Sequence, residues 1–156
     1  LHDDTPNKKP SRREARERAF QVLYGLTLVP PDDEAGLEAA FVQAPDPEVE
    51  GATGALAAGF AWQLVHGVWT RREELDEIIA RFSKHWKVAR IARIELTILR
   101  LAVYEMLYVD DVPTKVAMNE AIELAKRFGD DNSRSFVNGI LDAAGRAREH
   151  GEIGTR

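Results

Sequence analysis

Arg12, Arg13 and Arg16 lie within one helical turn of each other, and Phe20 and Tyr24 follow at helical spacing. At 3.6 residues per turn, Arg13, Arg16, Phe20 and Tyr24 fall along one edge of a helix. A guanidinium forks onto two oxygens of a phosphate, and an aromatic face stacks on a base. Interleaved on one edge, the two groups suit an unpaired strand of nucleic acid. Gln21, Arg100, Asn132 and Ser133 are available donors for base edges. Three phosphate contacts to a single strand imply a logarithmic salt slope of roughly −2. This chemistry requires that the folded body leave the guanidinium edge uncovered.

Catalytic patterns are missing. The chain has no glycine-rich phosphate loop, no G-x-S-x-G and no H-E-x-x-H. His2, His66, His85 and His150 form no i, i+4 pair, and there is no cysteine, so neither zinc nor thiolate chemistry is indicated. His66 reads as a packed or half-exposed side chain. Asp110-Asp111 and Asp130-Asp131 sit where helices begin, which capping explains without acid/base work. The expectation is a protein that is not an enzyme and uses no cofactor or metal.

The chain is acidic overall, with a net charge of −5, yet its positive charge is segregated. Six basic residues lie between Lys8 and Arg18 against Glu14 and Glu17, and no Lys or Arg occurs from Ala19 to Thr70. A second set, Arg81, Lys84, Lys87, Arg90, Arg93 and Arg100, faces only Glu95. Such clustering on an acidic body is the footprint of a local anion-binding surface; solvated helix ends are the plainer alternative.

The elements that must position these groups are helical. Ser11 and Glu14 form a capping-box pattern that opens a helix to about Leu28, with Ala15, Ala19, Val22, Leu23 and Leu26 as its apolar stripe. A short helix through Leu37 and Phe41 precedes a loop marked by Pro45, Pro47, Gly51 and Gly54. One long helix is expected from about Ala55 to Phe82, with Gly59 and Gly67 tolerated where another backbone packs closely. From Val88 to Tyr108 the pattern is apolar nearly all round, which predicts the central helix. Its one polar ridge is Arg93, Thr97, Arg100 and Tyr104. Glu105 on that helix needs a cationic or N–H partner.

Pro113 then presets a first helical turn, and Gly129 offers a left-handed stop to the helix it begins. Asp131, Asn132 and Ser133 are N-cap candidates for the next helix, so the two form a tight αα-hairpin. No segment alternates like a strand. The fold class is therefore all-α: a compact bundle of about six to seven helices in two packed subbundles. The expected organisation is a basic arm over 1–10, one helical domain over 11–147 and a frayed tail over 148–156. With 44% hydrophobic residues, one core is affordable without staples. No stretch approaches the roughly 18 apolar residues that span a bilayer, and a reducing cytoplasm fits the composition.

SRREARERAFQVLY at 11–24, ILRLAVYEMLY at 98–108, Asn119-Glu120-Ala121, Glu123-Leu124-Ala125-Lys126, Phe128-Gly129 and Phe136-Val137-Asn138-Gly139 with Leu141 occur in this order. Together they resemble the NusB family of bacterial transcription antitermination factors over most of the chain, most weakly between Thr27 and Gly54. The resemblance implies an all-helical protein that binds single-stranded boxA RNA of ribosomal leader transcripts through Arg12, Arg13 and Arg16, with Lys9 extending the contact. It places Asn132, Ser133 and Phe136 near the same RNA, although Phe136 on an apolar stripe also reads as core. It implies a heterodimer with NusE, the small-subunit ribosomal protein that doubles as a transcription factor, with Tyr24 and Glu95 at the contact, acting on RNA polymerase in its antitermination complex. Glu14 stands where the family pattern often has another basic residue. Asn138-Gly139 is expected at a close helix contact.

Two other classes compete. The same fold serves as the RNA-recruiting domain of certain ribosomal RNA cytosine methyltransferases, for whose cofactor domain 156 residues leave no room. A helical interaction module, or a homodimer whose shared surface hides the arginines, would use the fold without RNA.

Overall fold

A computed structural model of the chain describes residues 11–44, 59–84 and 86–154. The arm over 1–10 with Lys9, residues 45–58 with the proline-marked loop and the expected helix start at Ala55, His85, and the last two residues lie outside them. The described residues form seven α-helices and one 3-10 turn, with no strand. The helices are α1 Arg12–Leu28, α2 Glu34–Gln43, α3 Phe60–Thr70, α4 Arg72–Phe82, α5 Arg93–Tyr108, α6 Thr114–Phe128 and α7 Asp131–Glu149. Helices α1, α2 and α3 pack as one group and α4, α6 and α7 as another, with α5 touching members of both.

The start of α1 closes as the capping box requires: Glu14 N donates to Ser11 Oγ at 3.1 Å, and Ser11 N donates to Glu14 Oε1 at 2.7 Å. Glu14 is thus a capping residue in the arginine run. Along α5, ten side chains from Thr97 to Leu107 are buried, Ile98, Leu99 and Val103 completely. Burying a Leu- or Ile-sized side chain contributes roughly 1.5–3 kcal/mol, which makes this helix the floor against which the others are held.

The structure corrects several expectations. The long helix expected to Phe82 is two helices, broken at Arg71, whose φ of −112° and ψ of 16° leave the helical well. Neither glycine nor proline marks the break. Thr70 Oγ1 donates back to His66 O at 2.7 Å, and Arg72 Nη1 donates to Trp69 O at 2.6 Å, so side chains take carbonyls left over at the corner. Helix α5 starts at Arg93, because 88–90 form the 3-10 turn and Ala92 is extended. Its supposed polar ridge is largely internal: Thr97 and Tyr104 are buried, and Arg100 pairs with Asp76 at 2.7 Å.

The α6–α7 turn also differs in detail. Gly129 has φ −110°, so it is no left-handed stop; its hydrogen is needed because a Cβ there would meet Ser133 Cβ and Oγ at 2.7 Å. The N-cap of α7 is Asp130, one residue before the expected candidates, accepting from Ser133 N at 2.8 Å. Pro113 caps α6 from outside its first turn. Asn138 and Gly139 are exposed, and the close α6–α7 approach occurs at Gly145 instead. The tail is not frayed from 148: α7 continues to Glu149, Ile153 is buried, and Arg148 Nε donates to Met106 O at 3.0 Å.

Gly67 does mark a close approach, to a side chain: a Cβ there would stand 2.2 Å from the Tyr104 ring, which lies in the notch between α3 and α5. Gly67→Ala should therefore destabilise by about 1–3 kcal/mol through overpacking, measured as a lower denaturant midpoint with unchanged m. Gly139→Ala, which meets nothing within 4 Å, should not destabilise.

Candidate nucleic-acid interface

The capping box fixes where α1 begins, which puts Arg12, Arg13 and Arg16 in its first two turns. Arg12 forks onto Asp111, with Nη1–Oδ1 3.3 Å and Nη2–Oδ2 3.0 Å, and its Cζ sits 4.3 Å from the Phe60 ring centroid. Arg13 forks onto Glu120, with Nε–Oε1 3.1 Å and Nη2–Oε2 2.8 Å. These two side chains remain 47% and 58% exposed. Arg16 is different. It is 6% exposed, its Nε lies 2.9 and 3.0 Å from the two oxygens of Glu105, and its Nη2 lies 2.8 Å from Oε1.

The expectation of an uncovered arginine edge is therefore corrected. Arg16 is an internal ion pair, and it is the cation that Glu105 required. Burial pushes the Glu105 carboxyl up, while the bond to Arg16 pulls it back. Glu120, held by Arg13 and reached by Arg16 Nη1 at 3.6 Å, lies below the usual carboxylate range. Asp111 is likewise lowered, first by its bond from Arg12. The Arg12–Asp111 pair is largely in solvent and contributes little net stability, so that fork is free to exchange its carboxylate for another oxyanion. Arg13 is exposed too, but its partner Glu120 is only 14% exposed and has Arg16 Nη1 at 3.6 Å as a second cation.

Phe20 is not presented for stacking. It is buried, with its ring 4.6 Å from Phe128 and 6.1 Å from Tyr24. Tyr24 is half-buried at the outer end of that stack. Arg127 Nε lies 3.6 Å from Glu17 Oε2, so the end of α6 is tied to the middle of α1.

The start of α7 forms a second locus. Asn132 is exposed in its first turn and Phe136 is half-buried against the core. Ser133 is buried, and its Oγ donates to Glu95 Oε2 at 2.6 Å, so the hydroxyl expected to face a base is already committed. Glu95 and Ser133, expected on different partners' surfaces, are in contact with each other. Gln21 is exposed, whereas Arg100 is held by Asp76. His66 lies 3.1 Å from Glu34 and beside Trp62. Among the described residues no cluster of His, Asp and Glu could hold a metal, and no helix is long and apolar enough to cross a membrane.

Sequence reasoning missed the carboxylates that answer the arginines. Asp111 fits a helix cap by its position in the chain, yet it serves Arg12. Glu120 carried a usable signal, since it borders the apolar stripe of Ala117, Ala121 and Leu124, where a carboxylate is drawn toward the body and needs a cation.

Arg16→Ala should leave Glu105 buried without its partner, at a cost of about 3–5 kcal/mol, or on the order of 10 °C in Tm. Arg12→Ala should leave Tm nearly unchanged, as thermal melts will show. The folded pKa of Glu120 is depressed, so its contribution to stability is complete above about pH 4.5 and is lost as pH falls through the lower folded value. Glu120→Gln should flatten the acid limb of a Tm-against-pH profile. Glu105 is raised and acts in the opposite sense, its contribution present at low pH and lost as pH rises through its folded value.

The NusB family model matches residues 13–146. The chain is 54% identical over 155 residues to the transcription antitermination protein NusB of Nitratidesulfovibrio vulgaris strain Miyazaki F, covering 94% of each chain. Among solved structures it is similar to T. maritima NusB, with TM-score 0.76, 31% identity, and coverage of 93% of this chain and 99% of that one. It is also similar to a chain in the crystal structure of antitermination factors NusB and NusE in complex with double-stranded RNA. There the TM-score is 0.68 at 25% identity, covering 87% of this chain and 96% of that one. With most of its length matched by the family model and by a relative well above 30% identity, the chain belongs to the NusB family of transcription antitermination proteins.

Proposed function

We propose that this chain is a transcription antitermination factor that captures boxA on the nascent ribosomal RNA leader as a heterodimer with NusE, and delivers it to the RNA polymerase antitermination complex in the cytoplasm. The observation that carries the reading is the start of α1, where Arg12 and Arg13 hold carboxylates in the forked geometry they would offer to phosphates. Strand entry exchanges Asp111 and Glu120 for phosphate oxygens. Arg16 does not exchange; it anchors the helix that presents the other two. Lys9 extends the cationic run, and exposed Asn132 with half-buried Phe136 supplies base contacts at the start of α7. Ser133 holds that start in place through Glu95. Tyr24 and Glu95 form the NusE side, which adjoins the RNA side because Glu95 touches Ser133.

With Arg16 internal, two phosphate contacts on α1 contribute a salt slope of roughly −1.4. Anisotropy titrations of a labelled single-stranded boxA oligonucleotide, with and without NusE, test this directly. Arg12→Ala/Arg13→Ala should weaken binding and reduce the magnitude of the slope by about that amount, with NusE binding retained and Tm modestly lowered because Glu120 keeps only Arg16 as a cation. Equal RNA affinity in variant and parent would favour an interaction module, and absence of parent binding even with NusE would end the RNA reading.

A further inference from the structure

We infer that the cationic connector between α4 and α5 is a second seat for unpaired RNA, with Trp86 as its stacking platform. This inference rests on the RNA-binding reading above and extends it to residues outside the α1 and α7 loci. Arg81, Lys84, Lys87, Arg90 and Arg93 are all exposed, and among the described residues none of them is in an ion pair with a carboxylate. The sequence from 81 to 93 contains no Asp or Glu. The contrast with α1 is physical. Arg12 and Arg13 must surrender a carboxylate to take a phosphate, whereas the connector cations surrender only counterions and so carry the larger share of counterion release.

The connector is also shaped. Ser83 is buried, its Oγ donates to Trp86 O at 2.6 Å, and Trp86 N donates back to Ser83 O at 3.2 Å. Arg90 N donates to Lys87 O at 2.8 Å as the 3-10 turn begins. The indole presented by this pinned turn is 53% exposed and has no aromatic or cationic partner among the described residues. An indole left this far in water is unusual, and a base stacked on it would recover the burial it lacks. An acidic peptide would answer the charge but not the exposed ring; a single strand answers both. The seat is continuous with the α7 locus, because Glu95, two residues beyond Arg93, is held by Ser133 next to exposed Asn132.

The test uses the full chain, an end-labelled single-stranded boxA oligoribonucleotide and a scrambled one, titrated across salt with and without NusE. Lys84→Ala/Lys87→Ala/Arg90→Ala should reduce the magnitude of the salt slope by roughly 2 on both RNAs, with Tm unchanged. Trp86→Ala should weaken binding by roughly tenfold without changing the slope, and Trp86→Phe should recover most of that loss. If the parent and the Arg12/Arg13 variant behave as stated above while both connector variants match the parent, the connector seat is overturned and the RNA reading stands. If the parent binds neither RNA, both are overturned. If the triple variant keeps its salt slope but loses NusE, the connector is a protein-binding surface and the inference fails.

Discussion

A guanidinium and a carboxylate removed from water together, Arg16 with Glu105, hold α1 against α5, and the arrangement of the α1 site follows from that contact. Each charge alone would be costly in this interior; paired at hydrogen-bond distance, and with Glu120 nearby, they are tolerated only in one relative placement of the two helices. Because α1 advances by about 100° per residue, Arg12 and Arg13 lie on the same side of the helix as Arg16, one turn nearer its start, so locking Arg16 against α5 aims them at Asp111 and Glu120 while they stay half-exposed. The residue that looks from its type like a third phosphate ligand therefore sets the direction of the other two.

The molecule handles positive charge in two ways. On α1 every described arginine meets a group of the body: Asp111, Glu120 and Glu105 answer Arg12, Arg13 and Arg16, and Arg18 donates to Phe41 O while lying over its ring. Between α4 and α5 the cations meet solvent. A chain with net charge −5 can hold such a region apart only by keeping carboxylates out of it, and the 81–93 stretch does so. Self-paired arginines keep the α1 rim ordered and selective, since an incoming oxyanion must match a fork that is already filled. Unpaired cations attract at longer range and with less discrimination.

The turn between α6 and α7 shows how one small residue links these regions. Gly129 lets Ser133 come close enough to be buried, Asp130 caps the helix through the Ser133 amide, and the Ser133 hydroxyl reaches Glu95 at the start of α5. Phe128 stacks on Phe20 from the other side of the same turn. The family motif Phe128-Gly129 thus does its work in packing: the aromatic ring ties α6 to α1, and the missing Cβ admits α7.

Much of the helical framework was legible in the residues themselves, because periodicity, capping boxes and turn residues act over a few positions of chain. The extent of α1, the αα-hairpin of α6 and α7, the centrality of α5 and the need of Glu105 for a cation were all readable in this way. The break at Arg71 was not, since no glycine or proline encodes it and it arises because α3 packs mainly on α1 while α4 packs on α5 and α7. Nor could local pattern show which carboxylate would meet which arginine: Asp111 and Glu120 lie some hundred residues away in the chain from Arg12 and Arg13. Residue type and spacing determined that this protein would be helical and carry clustered cations; only the packing of distant helices decided which of those cations became structure and which stayed available, because burial and charge pairing are properties of neighbours in space.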